Sequence, residues 1–153
     1  AGVILNGWQS DAARTFLVGE VSEEKRRLVE VTRESFFEGV KHFVEGGRLG
    51  DISMAIQDHN ESRGYGVVRD LVGHGIGRKM HEDPAVPNFG VAGHGVRLQR
   101  GLVLAIEPMV NAGTWRVRTL DDGWTCVTED GKPSAHYENT VALTENGTEI
   151  LTL

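Results

Sequence analysis

Four side chains that can bind metal ions lie among apolar neighbours in this sequence. Glu107 interrupts the run LVLAIEPMV, and Glu138 interrupts AHYENTVAL. Asp11 lies in a predicted strand, and His74 follows the run VVRDLV. A carboxylate inside an apolar strand is costly unless it is paired or holds a cation. We therefore interpret these four residues as candidate metal ligands.

Three carboxylates and one imidazole form a donor set of hard oxygen and borderline nitrogen. Such a set suits manganese, iron(II), cobalt or zinc, and carboxylates can bridge two ions. No cysteine lies near these residues, which excludes a zinc site built from thiolates. Either glutamate taken alone could be a surface residue of a half-buried strand. Glu107 fits that alternative least, because apolar runs flank it and Pro108 removes a backbone donor.

The stretch LVGHGIGRKMHEDP, residues 71–84, holds His74 and His81 among three glycines. Small neighbours would let the backbone pass close to a ligand and let the His74 imidazole leave its strand without a clash. A glycine-rich turn with a hydrogen-bonded histidine explains GHG on its own, but it leaves the three carboxylates unexplained. For His81, three interpretations stay open: a fifth metal ligand, a general acid, or an ordinary loop histidine.

Composition limits the classes of function that remain. The length of 153 residues favours one domain, residues 1–153, and 39% hydrophobic with 25% charged residues is ordinary for a globular protein. The net charge of −6 argues against nucleic-acid binding, which depends on clustered Lys and Arg. No apolar stretch approaches the ~20 residues that cross a bilayer, so no membrane role is expected. Cys126 is the one cysteine, which fits a reducing compartment and predicts a cytoplasmic location.

Two helices are predicted to support the strands that carry the candidate ligands. Ser22 is a suitable N-cap, and two glutamates follow it where the helix dipole favours negative charge. Apolar residues then recur at helical spacing as far as the glycine pair at 46–47, which predicts a helix over 22–45. A second apolar pattern predicts a helix over 51–64.

Most of the remaining chain is predicted to form short strands. An Asn6-Gly7 turn between apolar flanks indicates a hairpin at the start of the chain. The other elements are predicted as strands over 1–5, 8–18, 65–72 and 101–110, a loop over 83–97, and hairpins turning at 121–123 and 145–147. Helices on one face of a mostly antiparallel sheet make an α+β fold. Because the chain begins without Met and directly in a hairpin, we expect it to be a piece of a longer protein.

Five stretches of the sequence together resemble the type I methionine aminopeptidases. They are SDAARTFLVG, GHGIGRKMHEDP, LAIEPMVNAG, DGWTCVTEDGKPSAHYENT and NGTEILTL. The resemblance covers residues 1–153 with the motifs in the expected order, and DGW…SAHYENT favours these enzymes over the related Xaa-Pro peptidases and creatinases. It implies the pita-bread fold, in which two related halves enclose a dinuclear metal site.

The resemblance implies a role for each candidate residue. Asp11 and Glu138 match the carboxylates that bridge two metal ions, while His74 and Glu107 complete the coordination of one ion. Glu107 also matches the residue that takes the proton of a metal-acidified water as it attacks the scissile carbonyl. His81 matches the histidine that bonds the substrate peptide. The methionine side chain would lie against Trp124 and Met80.

The resemblance also implies an activity and its partners. The reaction is removal of the initiator methionine from nascent polypeptides with a small second residue, and the ribosome is a further candidate partner. One metal-binding aspartate of the family falls just ahead of Ala1, so the second metal site should be weakened in this chain. The N-terminal half of the fold, with a further substrate-contacting histidine, is expected on another segment.

Two alternatives to this activity remain from the sequence. A relative of the same fold could bind peptides or partners without cleaving them, although such relatives usually lose metal ligands. An Xaa-Pro peptidase would share the fold and the metal centre, and it would differ in substrate.

Overall fold

The computed structural model describes residues 1–153, and it contains two helices and thirteen short strands. The helices are α1 (Glu23–Val40) and α2 (Leu49–Glu61). The strands are β1 (Val3–Leu5), β2 (Trp8–Ser10), β3 (Ala12–Ala13), β4 (Gly66–Val67), β5 (Gly73–Gly75), β6 (Glu82–Val86), β7 (Val103–Ile106), β8 (Met109–Asn111), β9 (Val117–Thr119), β10 (Cys126–Thr128), β11 (Ser134–His136), β12 (Glu138–Thr144) and β13 (Gly147–Ile150). The predicted α+β class is confirmed.

Both helices begin with side chains that satisfy their free amide groups. The Ser22 hydroxyl accepts from the Lys25 amide, as predicted, and the Asp51 carboxylate accepts from the Arg48 amide ahead of α2. The first helix ends at Val40 rather than near 45. After Val40 the backbone forms tighter turns with hydrogen bonds between residues three apart. Phe43 therefore lies outside the helix, although its side chain is buried in the core.

Every strand pair in the fold is antiparallel. The main sheet has the order β13-β12-β7-β5-β6, and β3 pairs with β12 beside β13. A second sheet has the order β11-β8-β4, while β1–β2 and β9–β10 form separate hairpins. The strands that carry candidate ligands are thus neighbours in the main sheet.

Three predicted strand boundaries were wrong. Of the strand predicted over 8–18, only the short strands β2 and β3 are present, and residues 14–18 form no strand. The strand predicted over 65–72 is reduced to β4, and His74 lies in the separate strand β5. The strand predicted over 101–110 divides into β7 and β8, which belong to different sheets.

The loop predicted over 83–97 was also wrong in its first part, because β6 occupies it. Two prolines and three glycines favoured a loop in this stretch. However, β6 is the edge strand of the main sheet, where a proline costs no ladder hydrogen bond on its free side. β6 therefore tolerates Pro84, and it flanks the strand that holds His74.

The helices pack on one face of the main sheet and form its core, as expected. The largest buried cluster joins residues of α1 and α2 to residues of the sheet and nearby segments. Its members are Phe36, Phe43, Leu49, Ile52, Ile56, Val86, Leu98, Leu104, Ile106, Tyr137, Val141 and Leu143. Neither helix combines the length and the apolar character needed to span a membrane.

Candidate metal centre

Glu107 and Glu138 lie opposite each other where two strands pass from one sheet to the other. β7 pairs with β12 in the main sheet, and the continuing strands β8 and β11 pair in the second sheet. The register is the same on both sides of the break. The two carboxylates therefore meet at the crossover, where Pro108 and Tyr137 interrupt the strands.

His74 is positioned by β5 between β6 and β7. Its Nδ1 lies 2.9 Å from the Gly75 carbonyl oxygen, which can only accept, so Nδ1 carries the proton. An imidazole whose single proton is on Nδ1 has an unprotonated Nε2, which is the form that binds metal. That Nε2 is 3.6 Å from Oε1 of Glu107.

The glycines beside His74 are explained by close strand packing. A Cβ on Gly73 would collide with the Ala105 carbonyl of β7, and one on Gly75 would collide with the Asp83 carbonyl of β6. A larger residue at either position would push these strands apart. The glycines therefore let β5 fit between its neighbours and hold His74 at the centre.

Asp11 is held beside β12 by one threonine. The Thr140 hydroxyl accepts from the Asp11 amide at 2.8 Å and donates to the Asp11 carbonyl at 2.9 Å. The Asp11 carboxylate accepts from the Ala12 amide at 3.0 Å, which fixes its direction. The turn between β2 and β3 thus brings Asp11 to the same centre.

His136 is a member of this centre that the sequence reasoning did not identify. Its Nε2 is 3.2 Å from Oε2 of Glu107, but the geometry is not that of a hydrogen bond, and this buried nitrogen has no partner. Residues two apart in an extended chain point to the same side, so the spacing from His136 to Glu138 could have indicated it.

Two groups of three donor atoms meet at Glu138. One group is Asp11, His74 and Glu138, and the other is Glu107, His136 and Glu138, with the atoms of each group within 4.8 Å of one another. Oε1 of Glu138 is buried and has no hydrogen-bond partner. Carboxylate and imidazole donors that converge with unpaired buried atoms fit a divalent metal ion.

The electrostatics of Glu138 also favour a cation. Its side chain is buried, and burial raises its pKa to about 8, with the charges of Glu107 and Asp11 acting in the same direction. A carboxyl group in this state is protonated at neutral pH unless a positive charge replaces the proton. A bound divalent ion would supply that charge.

Arg14 supports the strand that carries Glu138, and the sequence reasoning did not identify it. Its guanidinium donates to the backbone carbonyl of Glu138 and, at 2.6 Å, to the side-chain oxygen of Asn139. It also lies 4.2 Å from the centre of the Tyr137 ring. These contacts hold the backbone carbonyl of Glu138 and the side chains of the residues before and after it, with no hydrogen bond to the Glu138 carboxylate.

Of the three residues predicted to contact substrate, only His81 lies at the centre. The centre of its ring is 4.2 Å from the centre of the His74 ring, and both residues line a cleft of about 680 Å³. Met80 is half-buried and points towards Gly2, outside the lining of this cleft. Trp124 is 89% exposed in the turn between β9 and β10, and it does not line the cleft.

Known proteins with similar sequences are methionine aminopeptidases. The methionine aminopeptidase of Clostridium perfringens is 64% identical over 152 residues, which is 99% of this chain and 61% of that protein. Methionine aminopeptidase 1 of Bacillus subtilis is 51% identical over 99% of this chain and 61% of its own length. The chain thus spans about three-fifths of the length of these relatives.

Solved structures agree with this similarity. Methionine aminopeptidase from Thermotoga maritima has a TM-score of 0.96 and 53% identity, and the match covers 99% of this chain and 61% of that one. Prolidase from Pyrococcus furiosus has a TM-score of 0.75 and 26% identity, covering 99% of this chain and 39% of that one. The expected pita-bread fold is confirmed.

Residues 1–145 match the profile of "Metallopeptidase family M24". The match includes both donor groups at the centre, since Asp11 and Glu138 fall within it. By fold and by sequence, the chain belongs to metallopeptidase family M24.

Proposed function

We propose that this chain is the catalytic part of a methionine aminopeptidase. The whole protein would remove the initiator methionine from polypeptides whose second residue is small. The observation that carries the proposal is the convergence of Asp11, His74, Glu107 and Glu138 at one crossover, with Glu138 common to two donor groups. The similarity to methionine aminopeptidases supports the choice of substrate.

The proposed cofactors are two divalent ions, drawn from manganese, iron, cobalt and zinc. Asp11, His74, Glu107 and Glu138 would hold them, with His74 and Glu107 on the same ion, and the proximity of His136 to Glu107 and Glu138 makes it a further candidate ligand. When bound, such ions supply Lewis acidity and lower the pKa of water. The aspartate expected ahead of Ala1 is not in this chain, so we expect one ion to bind more weakly to this chain alone.

Glu107 is the proposed general base. Its Oε1 is near His74 and its Oε2 is near His136, so both carboxylate oxygens face imidazole nitrogens. This placement keeps the carboxylate at the centre while one oxygen accepts the proton of the attacking water. Glu107 can then return the proton to the leaving nitrogen.

His81 is proposed to bond the substrate peptide. It is exposed at the edge of the cleft that His74 lines, so its ring can reach a backbone group of a bound peptide. Met80 and Trp124 remain candidates for the methionine pocket. Neither lines the cleft in this chain, so each would need the rest of the protein or the substrate beside it.

The proposed partners are polypeptide N-termini, with the ribosome as the site where they emerge, and the remaining part of the fold. The hairpin β1–β2 exposes four large apolar side chains that such a part could cover. They are Val3, Ile4, Leu5 and Trp8. A cytoplasmic location fits this substrate and the free thiol of Cys126.

The direct test is release of free amino acid by the full-length protein loaded with Mn²⁺. We expect methionine from a Met-Gly-Met peptide and no cleavage of an Ala-Pro peptide. Cleavage of Ala-Pro alone would make the protein an Xaa-Pro peptidase. If calorimetry shows tight Mn²⁺ binding but neither peptide is cleaved, the protein is a non-catalytic relative and the proposal is wrong.

A further inference from the structure

The hairpin β1–β2 is attached to the segment that carries His81. This hairpin is a separate two-stranded sheet and is not paired with the main sheet. The Gln9 amide donates to the Gly77 carbonyl at 2.8 Å, and the Gln9 side-chain amide donates to the next carbonyl, Arg78, at 3.2 Å. One residue of the hairpin therefore binds two successive carbonyls of the segment 77–81.

Two further residues of the segment, Arg78 and Met80, also contact the hairpin. The Arg78 guanidinium lies 3.9 Å from the centre of the Trp8 ring and donates to the Asn6 carbonyl at 3.4 Å. The end of the Met80 side chain occupies the place that a Cβ on Gly2 would take. These contacts flank the Gln9 hydrogen bonds, and the attachment extends along the segment up to the residue before His81.

The segment has little support of its own. Residues 77–81 are outside regular secondary structure, and Arg78, Lys79 and His81 are exposed. Within it, the Gly77 amide donates to the Lys79 carbonyl at 3.2 Å, and the Lys79 amide donates to the Glu82 carboxylate at 2.7 Å. These bonds shape the turn, but the contacts to the hairpin add an anchor outside the segment.

We infer that Gln9 is a positioning residue that holds His81 over His74. The centres of the His81 and His74 rings are 4.2 Å apart, so a small shift of the segment would change where His81 meets a peptide bound at the centre. Misplacement by about 1 Å can reduce turnover on the order of 10²-fold. The inference rests on the proposed function, because it is the proposed contact of His81 with substrate that Gln9 would serve.

The variants Gln9→Met and Gln9→Ala remove the side-chain amide that donates to the Arg78 carbonyl, and Gln9→Met keeps the length of the side chain. The backbone amide of residue 9 still donates to the Gly77 carbonyl in both variants, so the test isolates the side-chain bond. Gln99→Ala is a matched control, because Gln99 is exposed and its side chain makes no hydrogen bond. Each variant is made in the full-length protein with His81 present and with His81→Ala. Turnover of Met-Gly-Met, KM and the affinity for Mn²⁺ are measured for all of them.

We expect the Gln9 variants to lose about tenfold in kcat, with unchanged Mn²⁺ affinity, and the control to match the parent. In the His81→Ala background the loss should vanish, since the positioned group is gone. An equal loss in both backgrounds would overturn the inference and show a merely structural role. A parent protein that releases no methionine would instead contradict the proposed function.

A second measurement does not depend on activity. The ring ¹H–¹⁵N signals of His81 report its surroundings in the metal-free protein. They should shift in Gln9→Met and stay in place in Gln99→Ala. Unchanged His81 signals in Gln9→Met would overturn the inference, whatever the kinetic result.

Discussion

The residues proposed to bind metal and those proposed to contact substrate lie in different surroundings. Glu138 and His74 are 3% and 8% exposed, and strands on both sides hold their backbones. His81 is exposed in the irregular segment 77–81, and Trp124 is exposed in a turn. The candidate metal centre is therefore held mostly by strands of the two sheets, while the proposed substrate side depends on segments attached to them.

This difference follows from how each backbone is held. A strand within a sheet is fixed by hydrogen bonds along its length, and moving one residue disturbs its neighbours. A turn is held by a few local bonds and opens at a lower free energy. The two regions should accordingly respond to mutation in separable ways, with metal binding in one and substrate handling in the other.

The largest expected effect on turnover comes from a substitution at the candidate metal centre, Glu107→Gln. Glu107→Gln keeps the shape of the side chain but removes its charge and the proposed proton acceptor. We expect turnover of Met-Gly-Met to fall by about 10²–10⁴-fold, the range of general-base effects. The matched control is Glu30→Gln on the exposed face of α1, which should retain the parent activity. Near-full activity in Glu107→Gln would show that another group takes the proton.

The second prediction separates the two histidines of the cleft. His81→Ala should lower turnover by about 10²–10³-fold, as for loss of one group that stabilises the transition state, with Mn²⁺ affinity unchanged. His74→Ala should lower Mn²⁺ affinity, because Nε2 of His74 is a proposed ligand. Calorimetric titration with Mn²⁺ measures both, with the exposed His42 changed to Ala as control. Equal loss of Mn²⁺ affinity in the two variants would place His81 among the ligands.

The sequence predicted the parts of the fold that depend on local patterns. The cap at Ser22 and the hairpin at Asn6-Gly7 were correct because each depends on residues close in the chain. The four predicted ligands lie at one centre. The sequence could identify them because carboxylates among apolar residues need a partner.

Other features could not be read from local patterns. β6 was missed because its position at the sheet edge, which makes Pro84 acceptable, depends on strand order. The spacing of His136 from Glu138 is a local signal, but the contact of His136 with Glu107 depends on the register between β8 and β11. The sequence around Gln9 does not indicate its contact with the segment 77–81, because the two are about seventy residues apart in the chain.

The smallest expected effect concerns the pH dependence of the metal-free protein. Burial raises the pKa of Glu138 to about 8 in the folded state, against 4.5 for an ordinary glutamate. The folded state therefore keeps this proton at pH values where the unfolded state has released it. The contribution of Glu138 to stability is fully present below pH 4.5, and it is lost as the pH rises towards 8.

Thermal unfolding in the presence of a chelator measures this contribution. The full-length protein should melt a few degrees lower, relative to Glu138→Gln, at pH 8 than at pH 5, because glutamine carries no charge to bury. Mn²⁺ should remove the difference in the parent protein, since a bound cation stabilises the ionised carboxylate, and its binding near pH 7 should release a proton. Glu149→Gln, on an exposed position of β13, is the matched control and should follow the parent at every pH. If Glu138→Gln and the parent keep the same difference in melting temperature from pH 5 to pH 8, the buried carboxyl is not protonated, and the sheet holds the centre without a bound proton.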